Sequence, residues 1–174
     1  QPVAEFVDYI AQAVKKNPHA PVMIEVPDTV RVLKDAAFED IYYEHCSYFT
    51  PGTLASLIRR AGFAVYDLRW EYAEQYLVIE CGLDFTRDKQ FEIEESVAQT
   101  KAMVDTFIEK IASLRTKWID LVKNAKANGE KIAIWGSGSK CVAFLSTLGL
   151  ENDIDSIVDI NPNTLCIEPE EIKK

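Results

Sequence analysis

Histidine is scarce in this chain: only His19 and His45 are present, and only His45 has an acid beside it in sequence. Basic charge is also in deficit, with 19 Lys and Arg against 28 Asp and Glu, a formal net charge of −9. A phosphate backbone needs a basic face, so this balance argues against nucleic acid as the main ligand while leaving room for a local patch that takes one small phosphate. No apolar run approaches the ~20 residues a membrane-spanning helix requires. The four cysteines, Cys46, Cys81, Cys141 and Cys166, fall 35, 60 and 25 residues apart. That spacing contains no pair of the kind that holds zinc and no disulfide framework. They read as reduced thiols of a cytoplasmic protein, each behaving first as a small hydrophobe. Internal repeats and low-complexity stretches are absent. An initiator Met is absent too: the chain opens on Gln1 and runs directly into a helical pattern, which reads as a piece of a larger protein.

What is present is ordinary for a globular protein, with 48% hydrophobic and 27% charged residues over 174 positions. That length suits one domain or two small ones. Val3 to Lys16 has the apolar spacing of an amphipathic helix, stopped by Asn17-Pro18. Pro21 to Pro27 is a short apolar run between prolines and reads as a buried strand; Asp28 to Ala37 reads as a weaker helix. A helix from Pro51 to Ala61, with Thr50 as its cap, precedes a turn at Gly62. Two strands follow, Phe63 to Trp70 and Gln75 to Cys81, joined by Glu71-Tyr72-Ala73-Glu74 as a hairpin-like connection. From Asp88 to Asn128 there is neither Pro nor Gly. Val104, Phe107, Ile111, Leu114, Trp118, Leu121 and Ala125 then predict one long helix with a heptad-like seam, packed on its own domain or against a second copy of the chain. Gly129 ends it. The last segment predicts a buried strand at Lys131 to Trp135, a small-residue turn from Gly136 to Lys140, a helix from Cys141 to Leu148 ended by Gly149, and a strand from Asp155 to Pro162. The fold class is therefore α/β.

Two stretches carry chemistry. Ile41 to Thr50 packs phenols, a carboxylate and an imidazole into ten residues. A Glu-His pair in a loop leading into a helix supplies the parts for moving a proton, although Tyr, His and Phe also line ordinary half-buried loops. Gly136-Ser137-Gly138 lies between a strand and a helix. Glycines there let the backbone approach a phosphate, the helix N-terminus aims N–H groups at it, and Lys140 adds a charge. Asp159, near the end of the next strand, stands about where a ribose-binding acid would be. The third position of the dinucleotide fingerprint is Cys141 rather than Gly or Ala, and a close-packed turn without ligand is the plain alternative.

Ile24-Glu25-Val26-Pro27, Phe38 to Phe49, Pro51-Gly52-Thr53-Leu54 and Ala61-Gly62-Phe63 together resemble the second half of a class I S-adenosylmethionine-dependent methyltransferase domain. The match is to the sugar C-methyltransferases, which act on nucleotide-linked keto-sugars. Their signature resembles Tyr-His-Glu-His followed one residue later by Ser-Tyr-Phe-Ser; Tyr43 and Thr50 depart from it here. Trp135 to Lys140 and Val158 to Pro162 are similar to the C-terminal lobe of that family. The resemblance implies a partial class I methyltransferase (Rossmann-like) lobe over residues 1–87, a long connecting helix over 88–129, and a C-terminal half-Rossmann lobe over 130–174.

It also implies base-assisted enolate methylation, with His45 as the base, oriented or assisted by Glu44, and with Tyr42 donating to the enolate oxygen or positioning the sugar. Gly136, Ser137, Gly138, Lys140 and Asp159 would hold the nucleotide or its phosphates in the cleft between the lobes. The cofactor would be S-adenosylmethionine, bound in the intact protein by a motif this chain does not contain; no metal is required. Such a fragment would be inactive alone. Two rival readings stand beside this one: a nucleotide-binding module or small NAD(P)-linked oxidoreductase centred on the Gly136 turn, and a scaffold that dimerises through the long helix.

Overall fold

The structure is a computed structural model, and it describes residues 2–160. It is a mixed α/β chain that divides into two compact units. The first takes in the residues up to Asp35 together with Cys46–Asp105; the second joins Ala36–His45 to the residues from Thr106 onward.

The first unit contains α1 (Val3–Val14), β1 (Val22–Pro27), α2 (Thr29–Asp35), α3 (Pro51–Arg60), β2 (Ala64–Glu71) and β3 (Tyr76–Gly82). The three strands form an antiparallel sheet in the order β1-β3-β2. Val7, Ala11 and Val14 of α1 share one core with Leu54, Ala55 and Ile58 of α3 and with Phe63, Val65, Leu68, Leu77, Ile79 and Cys81. Each fully buried Leu, Ile or Phe there stabilises the fold by roughly 1.5–3 kcal/mol. The predicted hairpin forms, and residues 72–75 make its turn. β1 corrects the expectation of a buried strand. Its side chains alternate between half-buried and exposed, because it is an edge strand paired on one side with β3, and Met23 is largely exposed.

The N-terminus of α3 is closed from two directions. Thr50 N–H donates to Thr53 Oγ1 at 2.9 Å, and Thr53 O–H donates to the Thr50 carbonyl at 3.0 Å. The carboxylate of Glu95 accepts from Gly52 N–H at 2.9 Å and from the Thr50 hydroxyl. Arg59 holds the other end of the same segment, donating to Glu94 Oε2 at 2.6 Å.

That segment explains a second correction. The long helix does not run from Asp88. α4 spans Val97–Ala127, and residues 88–96 are non-helical with a turn at Glu92–Ile93; Phe91 and Ile93 pack against the first unit's core. Ser96 and Gln99 start α4 with a reciprocal capping box: Ser96 N–H donates to Gln99 Oε1 at 2.8 Å and Gln99 N–H to Ser96 Oγ at 3.3 Å. Lack of Gly and Pro allowed a helix from Asp88, but the cap and the pairing of Glu94 and Glu95 decide otherwise. Of the predicted seam, Phe107 is buried and Ile111, Leu114 and Ala125 are half-buried, while Val104 and Leu121 are exposed; Val122 is the other buried residue of α4.

The second unit carries most of α4 with β4 (Ala133–Trp135), α5 (Ser139–Leu148) and β5 (Ser156–Val158). β4 and β5 are parallel, with Ile134 opposite Ile157, so β4–α5–β5 is a right-sized strand–helix–strand unit. Cys141, Ala143, Leu145, Leu148, Leu150, Ile154 and Ile157 are its buried residues in this region. β4 is not the buried strand expected: Trp135 is 75% exposed, and among the described residues only two strands make this sheet. β5 is likewise shorter than the predicted strand, whose last residues, Asn161 and Pro162, lie outside the described residues. α5 starts two residues earlier than expected, with Gly138 as its N-cap, so Lys140 belongs to the helix rather than to the turn.

Candidate functional site

Ile41–His45 of the first chemistry-bearing stretch and the Gly136 turn lie together in the second unit. The 3-10 helix Phe38–Asp40 leads into a turn in which His45 N–H donates to the Tyr42 carbonyl at 3.0 Å. An i to i+3 turn places its first and last side chains on the same side. The Tyr42 hydroxyl accordingly lies 3.0 Å from His45 Nε2, with ring centroids 4.2 Å apart. When Nε2 carries no proton, the phenol donates to it. Glu44 is exposed and lines the neighbouring cleft; the partner the geometry gives His45 is Tyr42. Tyr43, at the tip of the turn, is 88% exposed.

The cleft has a volume of about 420 Å³. Tyr42, Tyr43 and Glu44 line one side of it, and Ser137, Gly138 and Ser139 with Val142 line the other. That places phenol, carboxylate and the start of α5 around one space. Helix N-termini present unpaired N–H groups and partial positive charge. Gly136 adopts φ +99, a left-handed conformation that favours Gly, and its N–H donates to Val158 O at 2.7 Å. A Cβ on Gly138 would meet nothing within 4 Å, so the approach to the turn is open.

Two of the expected nucleotide-binding residues have partners of their own. Asp159 Oδ2 accepts from Ser137 N–H at 2.7 Å and from the Ser137 hydroxyl at 2.6 Å. This acid therefore braces the turn. Lys140 Nζ pairs with Asp40 Oδ1 at 2.5 Å and is not among the residues lining the cleft. Among the described residues no cluster of three or more His, Cys, Asp or Glu is placed to hold a metal, and no helix is long and apolar enough to cross a membrane.

Sequence reasoning did not single out Asp40, Phe38 or Phe144. Phe38 stacks on Phe144 with centroids 5.7 Å apart, and Trp118 of α4 meets Phe144 edge-on at 5.3 Å. The readable signal was in α5, where Lys140 and Phe144 stand four apart on one helical face.

Residues 88–165 match the family described as the C-methyltransferase C-terminal domain. Among curated proteins, C-methyltransferase NovU of Streptomyces niveus is 26% identical over 136 residues, covering 73% of this chain and 32% of that protein. The chain thus spans about a third of the length of that relative. Over most of its residues the chain is thus similar to a C-methyltransferase, and its second half to that family's C-terminal domain.

Proposed function

We propose that this chain is part of a C-methyltransferase that uses S-adenosylmethionine to methylate a carbon beside a ketone, on a nucleotide-linked keto-sugar or a related substrate. The observation that carries the reading is the Tyr42–His45 contact at the wall of the cleft. In this reading the three-stranded antiparallel sheet and its helices, within residues 1–87, are the second half of the methyltransferase domain. The β4–α5–β5 unit is the C-terminal half-Rossmann lobe. S-adenosylmethionine supplies the methyl group when bound, in the intact protein, and no residue of this chain is assigned to hold it.

The chain's own residues handle the proton. A C–H next to a ketone is acidified because its carbanion is an enolate. Tyr42 lines the cleft; in this reading its oxygen takes that proton as its own passes to His45 Nε2, so His45 is the net base and the enolate carbon is left as a nucleophile. The contact that supports this reading is between Tyr42 and His45; Glu44 lines the same cleft and keeps its proposed assisting role. N–H groups at the start of α5 are suited to an anionic part of the substrate, with Gly138 and Ser139 as the nearest candidates. In the intact protein, His45→Gln should lower the turnover of methyl transfer by ~10²–10⁴-fold, as loss of a general base does. Turnover close to wild type would remove His45 from this role.

A further inference from the structure

We infer that Tyr43 is a specificity-determining residue of the cleft: its ring is the wall for an apolar face of the sugar ring, and the preferred keto-sugar carries hydrogen rather than hydroxyl at the ring carbon turned towards it. This rests on the reading of the cleft as the keto-sugar site. Tyr43 follows Tyr42 in the chain, and both line the cleft. A sugar ring whose acidic carbon meets Tyr42 therefore lies within reach of Tyr43. Tyr43 is largely exposed, and among the described residues its side chain makes no hydrogen bond, ion pair or ring contact. A Tyr in that state offers a large, rigid contact surface at a small entropic cost. Single exposed apolar residues are ordinary, but Ile41 and Val142 are each 41% exposed as well and line the same space. Loop and helix both present apolar surface to one cleft.

The polar groups of the cleft point to an uncharged, hydroxyl-poor face at this wall. Among the described residues that line it, Glu44 is the only charged one. A carboxylate repels phosphate, so the phosphates belong at the N–H groups that start α5 and the sugar at the loop wall. Three of the hydroxyls that line the cleft already have partners. Ser137 donates to Asp159 Oδ2 at 2.6 Å, and Ser146 donates to the Val142 carbonyl at 2.8 Å. Tyr42 has His45 Nε2 at 3.0 Å. Between Tyr43 and the Val142–Ala143 stretch of α5, a sugar hydroxyl would give up water and gain little in return. A C–H face has no hydrogen bond to give up, and covering the Tyr43 ring with it removes apolar surface from water.

The test compares two nucleotide-linked keto-sugars that differ only in hydrogen or hydroxyl at one ring carbon next to the methylated one. In the intact protein, wild type should favour the hydrogen-bearing sugar about tenfold in kcat/KM, the scale on which an apolar wall discriminates. Tyr43→Phe should keep that ratio. Tyr43→His and Tyr43→Ala should bring it to within about twofold, mainly by raising KM for the favoured sugar, since binding rather than chemistry is lost. A ratio that Tyr43→Ala leaves unchanged would overturn the role of Tyr43, and so would a wild type that favours the hydroxylated sugar. A second measurement needs neither activity nor a variant. The 174-residue chain is titrated with the hydrogen-bearing sugar nucleotide while the Tyr43 ring and the Ser139 amide are followed by nuclear magnetic resonance. Both signals should shift. A Tyr43 ring that stays still while the Ser139 amide moves would overturn the wall and leave the reading of the cleft in place; no movement of either would overturn both. Absence of methyl transfer by the intact wild-type protein would defeat the proposed reaction, while the Tyr43 ring would still decide the contact.

Discussion

His45 is placed by a turn rather than by its sequence neighbour. Glu44 adjoins it in the chain, yet adjacent side chains of a turn diverge, and the i to i+3 relation delivers Tyr42 instead. The thiols show a similar dependence on surroundings. Cys46 is exposed, while Cys81 and Cys141 are buried. Burial pushes the Cys81 thiol up to about 11 and raises that of Cys141 as well. At pH 8, limiting iodoacetamide should therefore modify Cys46 well before Cys81 or Cys141, as peptide mapping would show. Equal labelling of the three would mean that the two cores open readily.

Asp28 offers a pH prediction with a definite sign. It is buried and caps α2, accepting from Arg31 N–H at 2.9 Å and Val30 N–H at 3.2 Å. Desolvation by burial nevertheless raises its carboxyl above the ordinary 3.8, outweighing the hydrogen bonds from the Arg31 and Val30 amides. A raised folded value means that the folded chain binds this proton more tightly than the unfolded one. Its contribution is fully present below pH 3.8 and is lost as pH rises through the raised value. Asp28→Asn keeps a good capping residue and removes the titration. The Tm of that variant minus that of wild type should increase from pH 4 to pH 7, measured by circular dichroism. A difference that falls over the same range would contradict the sign.

At the scale of elements, backbone conformation sets separate costs. Gly149 ends α5 at φ +67, and a Cβ there would meet nothing within 4 Å. Gly149→Ala should cost about 1 kcal/mol, from conformation alone. A Cβ on Gly52 would clash with the Glu95 carbonyl oxygen, so Gly52→Ala has to displace the segment that closes α3 and should cost about 1–3 kcal/mol. Tyr72, Ala73 and Glu74 form the hairpin turn with three consecutive positive φ angles, none of them on Gly. Ala73→Gly should relieve that strain and stabilise the fold by up to about 1 kcal/mol. Urea unfolding of the three variants checks the order; a destabilising Ala73→Gly would contradict the strain argument. This hairpin was legible because alternating apolar residues flank four residues unsuited to a strand. The start of α4 was misjudged because an uninterrupted run of helix-tolerant residues does not locate an N-terminus. The capping box at Ser96 and Gln99 does, and it was there to be read. β4 misled for another reason: its apolar residues suggest burial, but only neighbouring strands and helices determine how much they receive.

At the scale of the whole molecule, the order of elements and the α/β class followed from local patterns, and the site did so only in part. Its residues were identified by type: a His beside phenols, and a glycine turn ahead of a helix. That Ala36–His45 belongs to the same compact unit as residues from Thr106 onward is a long-range fact that no local period encodes. The same is true of the engagement of Lys140 with Asp40 and of Asp159 with Ser137, both of which join positions far apart in sequence. We propose that the Tyr42–His45 pair removes a proton from the carbon beside a ketone. It is tested most directly by incubating the intact protein with a nucleotide-linked keto-sugar in deuterated water, without methyl donor, and following deuterium at that carbon by mass spectrometry. Wild type should incorporate deuterium, and His45→Gln should slow incorporation by ~10²-fold or more; incorporation at an equal rate in both proteins would contradict the claim.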